Sequence, residues 1–350
     1  MLPKVGVIYL AWNRKQYLEE VLSALRSQTY PQDRLELIFV DNASEDGTAE
    51  MLRETKGITF LGNAENLGFA EGNNMGINHA LLHECDYVFL HNDDLKLDPN
   101  AILEAVNLAE SDKTIGSVQS LIKLWKHPDT INSSGGQIHF LGFGFARDNG
   151  RKQQDVPLQE AEEIAYGSGA ALLLRSSVLQ EVGLLDPFLF LYHEDLQLGW
   201  RIRLAGFRNV LSLKSIAYHD YTFKRSIEKF YWMERNRWLV HLICLKGKTL
   251  LLVVPWMVLL ELPLMVFAVL GGWWKEKIMV YLQFFKRSTW TYLISTRRRI
   301  QASRRVSDQQ IVSLFEGRIV HQQTHNPLVT YIGNPLFSAL WLFLKRLIRW

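Results

Sequence analysis

The sequence predicts an α/β protein, a mixed and mostly parallel sheet with helices on both faces, followed by a helical C-terminal region suited to a membrane surface. Three observations carry that expectation. Up to about Tyr221, short β-branched runs alternate with helical apolar stripes. Polar clusters fall where the runs end. From Thr249 the composition turns almost wholly apolar. The boundary is placed between an α/β domain at 1–225 and a helical region at 226–350.

The first run, Val5 to Ala11, is continuous and apolar, as a strand buried on both faces requires. Residues 16–28 follow with Leu18, Val21, Leu22 and Leu25 on one helical stripe, and Pro31 marks the break. Residues 35–40 form a second strand ending in Asp41-Asn42-Ala43-Ser44, with a short helix beginning near Asp46. Residues 58–61, 68–84 and 87–90 repeat strand, helix and strand. In open sheets of this kind ligands bind beyond the carboxyl ends of the strands. Trp12-Asn13-Arg14, Asp41-Asn42 and His91-Asn92-Asp93-Asp94 stand at those ends.

At 350 residues the chain has room for a full α/β domain and an appendage, and 48 % hydrophobic against 21 % charged residues favours folding over disorder. A net charge of +3 makes no case for nucleic acid as a partner. Cys85 and Cys244, the only cysteines, lie far apart in no metal-ligand spacing, so reduced thiols in the cytosol are expected. No signal peptide is expected from the short first apolar run.

The apolar segment, about 249–274, would span about 39 Å as one helix, enough to cross a hydrocarbon core. Pro255, Glu261 and Pro263 make a straight lipid-exposed span costly, and a kinked or re-entrant hairpin at the interface fits equally. Basic clusters follow: Lys286-Arg287, Arg297-Arg298-Arg299 and Arg304-Arg305. The Trp-rich end, residues 336–350, carries Lys345, Arg346 and Arg349. Such basic amphipathic helices suit anionic headgroups at the cytoplasmic face of a membrane.

Chemistry concentrates in a few places. Asp93 and Asp94 repel each other unless a cation or hydrogen-bond donors intervene, and a hard divalent ion bridging phosphates needs only one or two protein oxygens. The same residues also make good turn chemistry. Glu194 and Asp195 open a helical pattern, where the macrodipole favours carboxylates and capping alone would explain one of them. The alternative for Asp195 is a general base. His219 follows a strand-like run and gains meaning only with partners.

Together these segments resemble the inverting nucleotide-sugar glycosyltransferases of family 2, with the GT-A fold, and most nearly their rhamnosyltransferase-like members. The resemblance runs in order over residues 5 to about 240. Val7-Ile-Tyr-Leu-Ala-Trp-Asn-Arg looks like the family's opening strand and turn, and Phe39-Val-Asp-Asn-Ala-Ser like its base-reading strand end. Asn66-Leu-Gly-Phe-Ala-Glu-Gly-Asn-Asn matches the segment beneath the nucleotide. His91-Asn-Asp-Asp stands at the Asp-x-Asp metal motif, and Gly167-Ser-Gly-Ala followed by the run from Gly183 to Asp195 leads to the catalytic pair.

The resemblance implies that Asp195, with Glu194 beside it, is the base, and that Asp94 and His219 hold Mg2+ or Mn2+. It implies that Ala11, Asn13, Arg14, Asp41, Asn66, Gly68, Gly72, Asn73, Asp93 and Gly169 contact the donor, Asp41 accepting from a uracil or thymine imide. The implied donor is dTDP-rhamnose, with UDP-hexoses next, and the implied acceptor is a saccharide or polyprenyl-diphosphate-linked saccharide of a cell-surface polysaccharide. The sequence departs from the pattern at Asn92, which replaces the first acidic residue of the metal motif, and at Gln197, where many relatives carry a carboxylate. No Gln-x-x-Arg-Trp sequence follows the base, which speaks against a processive synthase. The segment Glu234-Arg235-Asn236-Arg237 is expected to be a structural ion-pair network. A nucleotidyltransferase or a dinucleotide dehydrogenase would need glycines after the first strand that residues 11–17 lack. A catalytically inactive membrane scaffold of the same fold is the non-enzymatic alternative.

Overall fold

The computed structural model describes residues 2–221, 227–320 and 327–350. The expected boundary at 225/226 therefore falls outside the described residues. In chain order the elements are β1 (Val5–Ala11), α1 (Leu18–Arg26), β2 (Leu35–Asp41), α2 (Thr48–Glu54), β3 (Thr59–Gly62), α3 (Gly68–Leu82), β4 (Tyr87–Asn92), β5 (Leu95–Leu97) and α4 (Ala101–Ser111). Next come β6 (Ile115–Leu124), β7 (His127–Ser133), β8 (Gly136–His139), β9 (Gly144–Ala146), β10 (Ala171–Arg175), α5 (Ser176–Val182), α6 (Glu194–Leu204) and β11 (Arg208–His219). The chain continues through α7 (Ile227–Cys244), α8 (Gly247–Leu270), α9 (Trp274–Gln283), α10 (Arg287–Ser303), α11 (Asp308–Val312), β12 (Phe315–Glu316) and α12 (Asn334–Leu347).

The main sheet runs β3-β2-β1-β4-β10-β6-β11-β5, with β7 added to β6. Its β3-β2-β1-β4 part is parallel, while β10 runs antiparallel between β4 and β6. That reversal matters for function, because β10 begins where β4 ends. Residues alternate faces along β1: Val5, Val7 and Tyr9 join the core beneath α1 and α4, and Ile8 and Leu10 the core beneath α3 and α6. Both faces are thus covered, which explains the unbroken apolar runs.

A second core forms where α7 to α12 meet α6, with Trp200, Leu239, Ile243, Met257, Leu293 and Trp341 among its members. The apolar segment departs from the re-entrant alternative. It is one α-helix through both Pro255 and Pro263, ending before Gly271. Its buried residues are Thr249, Val253, Met257 and Ala268, and by length and composition the helix is long and apolar enough to cross a membrane. Leu251, Leu262, Val266 and Leu270 on its other side are exposed.

Most members of the basic clusters are exposed, among them Lys286, Arg287, Arg298, Arg299, Arg346 and Arg349, while others bond to the protein itself. Arg297 donates to the carbonyls of Leu242 and Leu245 near the end of α7, where unpaired carbonyls attract cations. Arg304 pairs with Asp308, Arg305 with Glu181, and the Lys345 ammonium donates to the Ser313 carbonyl.

Candidate active site

The cleft is assembled at the carboxyl ends of β1, β2 and β4 and the start of β10. On one side, Ala11 ends β1 opposite Asp41 in register, and its carbonyl accepts from the Asn42 N–H. Asp41 is buried; its Oδ2 accepts from the Ser44 N–H, while its Oδ1 has no partner. A buried acceptor without a partner is costly unless a ligand supplies the donor. Asn13 adopts φ 55°, and its side chain accepts from the Glu45 N–H, tying the β1 turn to the β2 turn.

Asn66 and Gly68 open α3. Asn66 Oδ1 accepts from the Gly68 N–H, and Gly68 has φ +78° with the Phe190 ring where a Cβ would stand. Gly72 and Asn73 lie deeper than the resemblance implied. A Cβ on Gly72 would meet Leu10 at 2.7 Å, and the Asn73 amide donates to the Phe69 carbonyl. Both are buried, which suits close packing of α3 on β1 rather than contact with a donor. Asn42 does more for this corner than sequence reasoning allowed. It donates to Asn66 Oδ1 and the Gly68 carbonyl and accepts from Asn63 and Leu67.

On the other side, the pairing of β5 with β11 sets Leu95 against His219, and the Asp220 N–H donates to the Asp94 carbonyl. His219 Nε2 consequently sits 2.8 Å from Asp94 Oδ1. His219 Nδ1 lies 2.9 Å from Asn132 Oδ1, so the imidazole is held in place between Asn132 and Asp94. That leaves Nε2 and a carboxylate oxygen side by side. Burial pushes the Asp94 carboxyl up, but the His219 hydrogen bond and charge outweigh it and hold Asp94 below the usual aspartate value. Asp93 behaves differently: burial and the neighbouring Asp94 charge raise it to about 7, against the pull of Arg14. The Arg14 Nε–H donates to Asp93 Oδ1 at 3.4 Å.

The catalytic pair expected on α6 sits at its first turn, Glu194 buried and Asp195 partly buried. The Gly169 N–H donates to Asp195 Oδ2 at 3.2 Å, and the Asn92 N–H donates to the neighbouring Ala170 carbonyl. This short bridge joins Asp195 to the strand end that carries Asp93 and Asp94. Burial raises both members of the pair above ordinary carboxyl values, and the Asp195 charge pushes Glu194 further. Glu194 Oε2 is buried with no partner. Neither carboxylate caps α6 from the N-cap position, which His193 occupies without a side-chain cap.

The loop before α6 is strained, with positive φ at Phe190, Tyr192 and His193, all non-glycine residues. Asn236 of α7 holds it by donating to the carbonyls of Leu189, Leu191 and Tyr192, and Arg235 donates to that of Phe188. The neighbours Glu234 and Arg237 point elsewhere, into a buried cluster with Glu261 of α8 and Lys277 of α9. The expected ion-pair network is therefore present, and the other half of the segment holds the loop before α6. Gln197 bonds Asp186 and Arg201 in the interior, so its role there is structural. Lys229 was not legible as a site residue: its ammonium stands 6.0 Å from the Tyr192 ring, and burial with the nearby Arg14 charge lowers its pKa.

A family profile described as "Glycosyltransferase like family 2" matches residues 3–240. The probable glycosyltransferase YdaM of Bacillus subtilis is 23 % identical over 252 residues, 68 % of this chain and 54 % of the relative, so the match spans about half of that relative. The N-acetylglucosaminyl-diphospho-decaprenol L-rhamnosyltransferase of Mycobacterium tuberculosis is 27 % identical over 233 residues, 60 % of this chain and 73 % of the relative. Among solved structures, the mannosyltransferase PcManGT of Pyrobaculum calidifontis, in complex with GDP-Man and Mn2+, superposes with a TM-score of 0.52 at 17 % identity over 87 % of this chain and 86 % of its own. GalNAc-T7, with UDP, GalNAc and Mn2+, gives a TM-score of 0.56 at 16 % identity, covering 69 % of this chain and 48 % of its own. These structural likenesses carry the GT-A-like α/β fold, and the profile match covers most of the chain. The chain belongs to glycosyltransferase family 2.

Proposed function

We propose that the protein transfers a sugar from a nucleoside-diphosphate donor to an acceptor hydroxyl, with inversion, using a divalent cation. The observation that carries this reading is the adjacency of Asp94 Oδ1 and His219 Nε2 at 2.8 Å, with the Glu194 and Asp195 pair linked to the same strand end through Gly169 and Ala170. Adjacent ligands of an octahedral Mg2+ or Mn2+ stand about 3 Å apart, given metal–oxygen distances of about 2.1 Å. The donor set therefore fits such an ion, with Asp94 and His219 as its holders. Bound there, the ion would neutralise charge on the departing diphosphate as a Lewis acid.

The protein's own groups divide the remaining work. Asp41 Oδ1 accepts from the base imide, and Arg14 and Lys229 offer positive charge to the diphosphate. Asp195 accepts the proton of the acceptor hydroxyl as its oxygen bonds to the anomeric carbon. The bond from that carbon to the phosphate oxygen breaks, and its electron pair leaves with the nucleoside diphosphate. Raising the pKa of Asp195 by burial strengthens it as a base while the Gly169 N–H keeps it orientated.

Rhamnose from dTDP-rhamnose is the preferred donor, on the strength of the mycobacterial relative's name. That name also favours a polyprenyl-diphosphate-linked acceptor in cell-surface polysaccharide synthesis. UDP-hexoses are the second reading, favoured by the neighbour holding UDP and GalNAc. The enzyme would act at the cytoplasmic face of a membrane, with α8 lying along the surface rather than crossing. Supporting that orientation, Thr249, Val253, Met257 and Ala268 are buried on one side of α8, and Glu261 near its middle is tied to Arg237 and Lys277. A nucleotide-release assay over a panel of sugar donors, with and without EDTA, tests the proposal in membrane and soluble fractions. EDTA-sensitive release with one donor and an acceptor is expected. No release from any donor would favour the inactive scaffold.

A further inference from the structure

Away from the cleft, at the opposite end of β2, three potential metal ligands meet. His79 and His83 stand four residues apart near the end of α3, so their rings lie on one face of the helix. Glu36 projects from the start of β2. One of its oxygens, Oε1, lies 2.8 Å from His79 Nε2 and 2.8 Å from His83 Nδ1. The two imidazole centroids are 3.9 Å apart, and the three ligand atoms all fall within 4.8 Å of one another. Lys4 holds the second carboxylate oxygen at 2.8 Å, leaving Oε1 to the histidines. Nothing in the transfer chemistry uses these residues.

We propose that Glu36, His79 and His83 form a second metal site, for a borderline divalent ion of the Zn2+ class. Two imidazoles and a carboxylate are a preferred Zn2+ donor set, with ligand distances of about 2.0–2.2 Å. Ligands on a tetrahedral ion of that size stand about 3.3 Å apart, so the ring nitrogens need to move by only about half an ångström from Oε1. The fourth position falls to solvent, because the His83 side chain is 49 % exposed. Mg2+ is a poor occupant, since it prefers oxygen ligands and octahedral geometry. A filled site would tie the last turn of α3 to β2, and α3 begins at its other end with Gly68 of the cleft. The ion would thus act as a staple for the helix under the donor, distinct from the ion at Asp94.

Titration of the full chain with Zn2+, followed by equilibrium dialysis and thermal melting, tests this independently of transfer activity. Relative to the unaltered protein, His79→Ala and His83→Ala should each lose one bound equivalent, or bind it at least tenfold more weakly. His219→Ala, which disables the cleft site, should keep that equivalent. Zn2+ should raise the melting midpoint of the unaltered protein and of His219→Ala but not of His83→Ala. His83 is half exposed, so its replacement preserves the fold, as far-ultraviolet circular dichroism will verify. Unchanged Zn2+ stoichiometry and affinity in both alanine variants, or loss of all binding in His219→Ala, would overturn the proposal.

Discussion

Two buried charge clusters, one in the cleft and one among the C-terminal helices, are built from similar residues and do opposite things. In the helical region Glu234 and Glu261 face Arg237 and Lys277, sign for sign, at 2.5–3.0 Å. In the cleft Asp93, Asp94, Glu194 and Asp195 are answered chiefly by Arg14, Lys229 and His219, and buried oxygens of Asp41 and Glu194 have no partner. The helical cluster is balanced in charge, although Arg237 Nε is buried there without a hydrogen-bond partner. An acidic one with unpaired acceptors is complete only with a cation and a polar ligand. The contrast teaches that burial of charge alone does not mark a site; lack of internal balance does.

The sharpest break between the two clusters should come from Asp195→Asn, which retains size and hydrogen bonding but not basicity. Turnover should fall about 10²- to 10⁴-fold with nucleotide binding nearly intact. Full activity in steady-state assays would remove Asp195 from the role. In the balanced cluster, Glu234→Ala should leave Arg237 and Lys277 sharing only Glu261 and destabilise the fold by about 3–5 kcal/mol in urea titration. A loss below 1 kcal/mol would mean that the cluster is solvated rather than saturated. The third effect is smaller. Asn132→Ala removes the hydrogen bond that orients His219 and should cost about 10–100-fold in divalent-cation affinity without a comparable loss of stability. Equal cation affinity would show that His219 keeps its orientation unaided.

How much of this was legible in the sequence follows from the range of the interactions. Strand ends are local signals, so Asp41, Asp94 and Asp195 could be picked out by the apolar runs and helical pattern around them. Their assembly came from the ordered resemblance, since the spacing of Asp94 and His219 says nothing of a 2.8 Å approach. Asn132 was missed because it reaches His219 from β7, a strand without a chemical motif. Lys229 and Asn236 were missed for the same reason: their partners lie in a loop remote in sequence. At Gly72 a glycine that admits a ligand and one that admits a neighbouring strand look alike in sequence; in the structure Leu10 stands where a Cβ would be. Within the basic run from Arg297 to Arg305, the partners of Arg297, Arg304 and Arg305, carbonyls of α7 with Asp308 and Glu181, are visible only in three dimensions.

The most direct test of the cleft's imbalance is calorimetric binding of the donor nucleotide to Asp94→Ala, with and without Mn2+. The account predicts that Mn2+ strengthens binding to the unaltered protein and to Asp195→Asn but has little effect on Asp94→Ala. Metal-stimulated affinity unchanged by loss of the Asp94 carboxylate would contradict it.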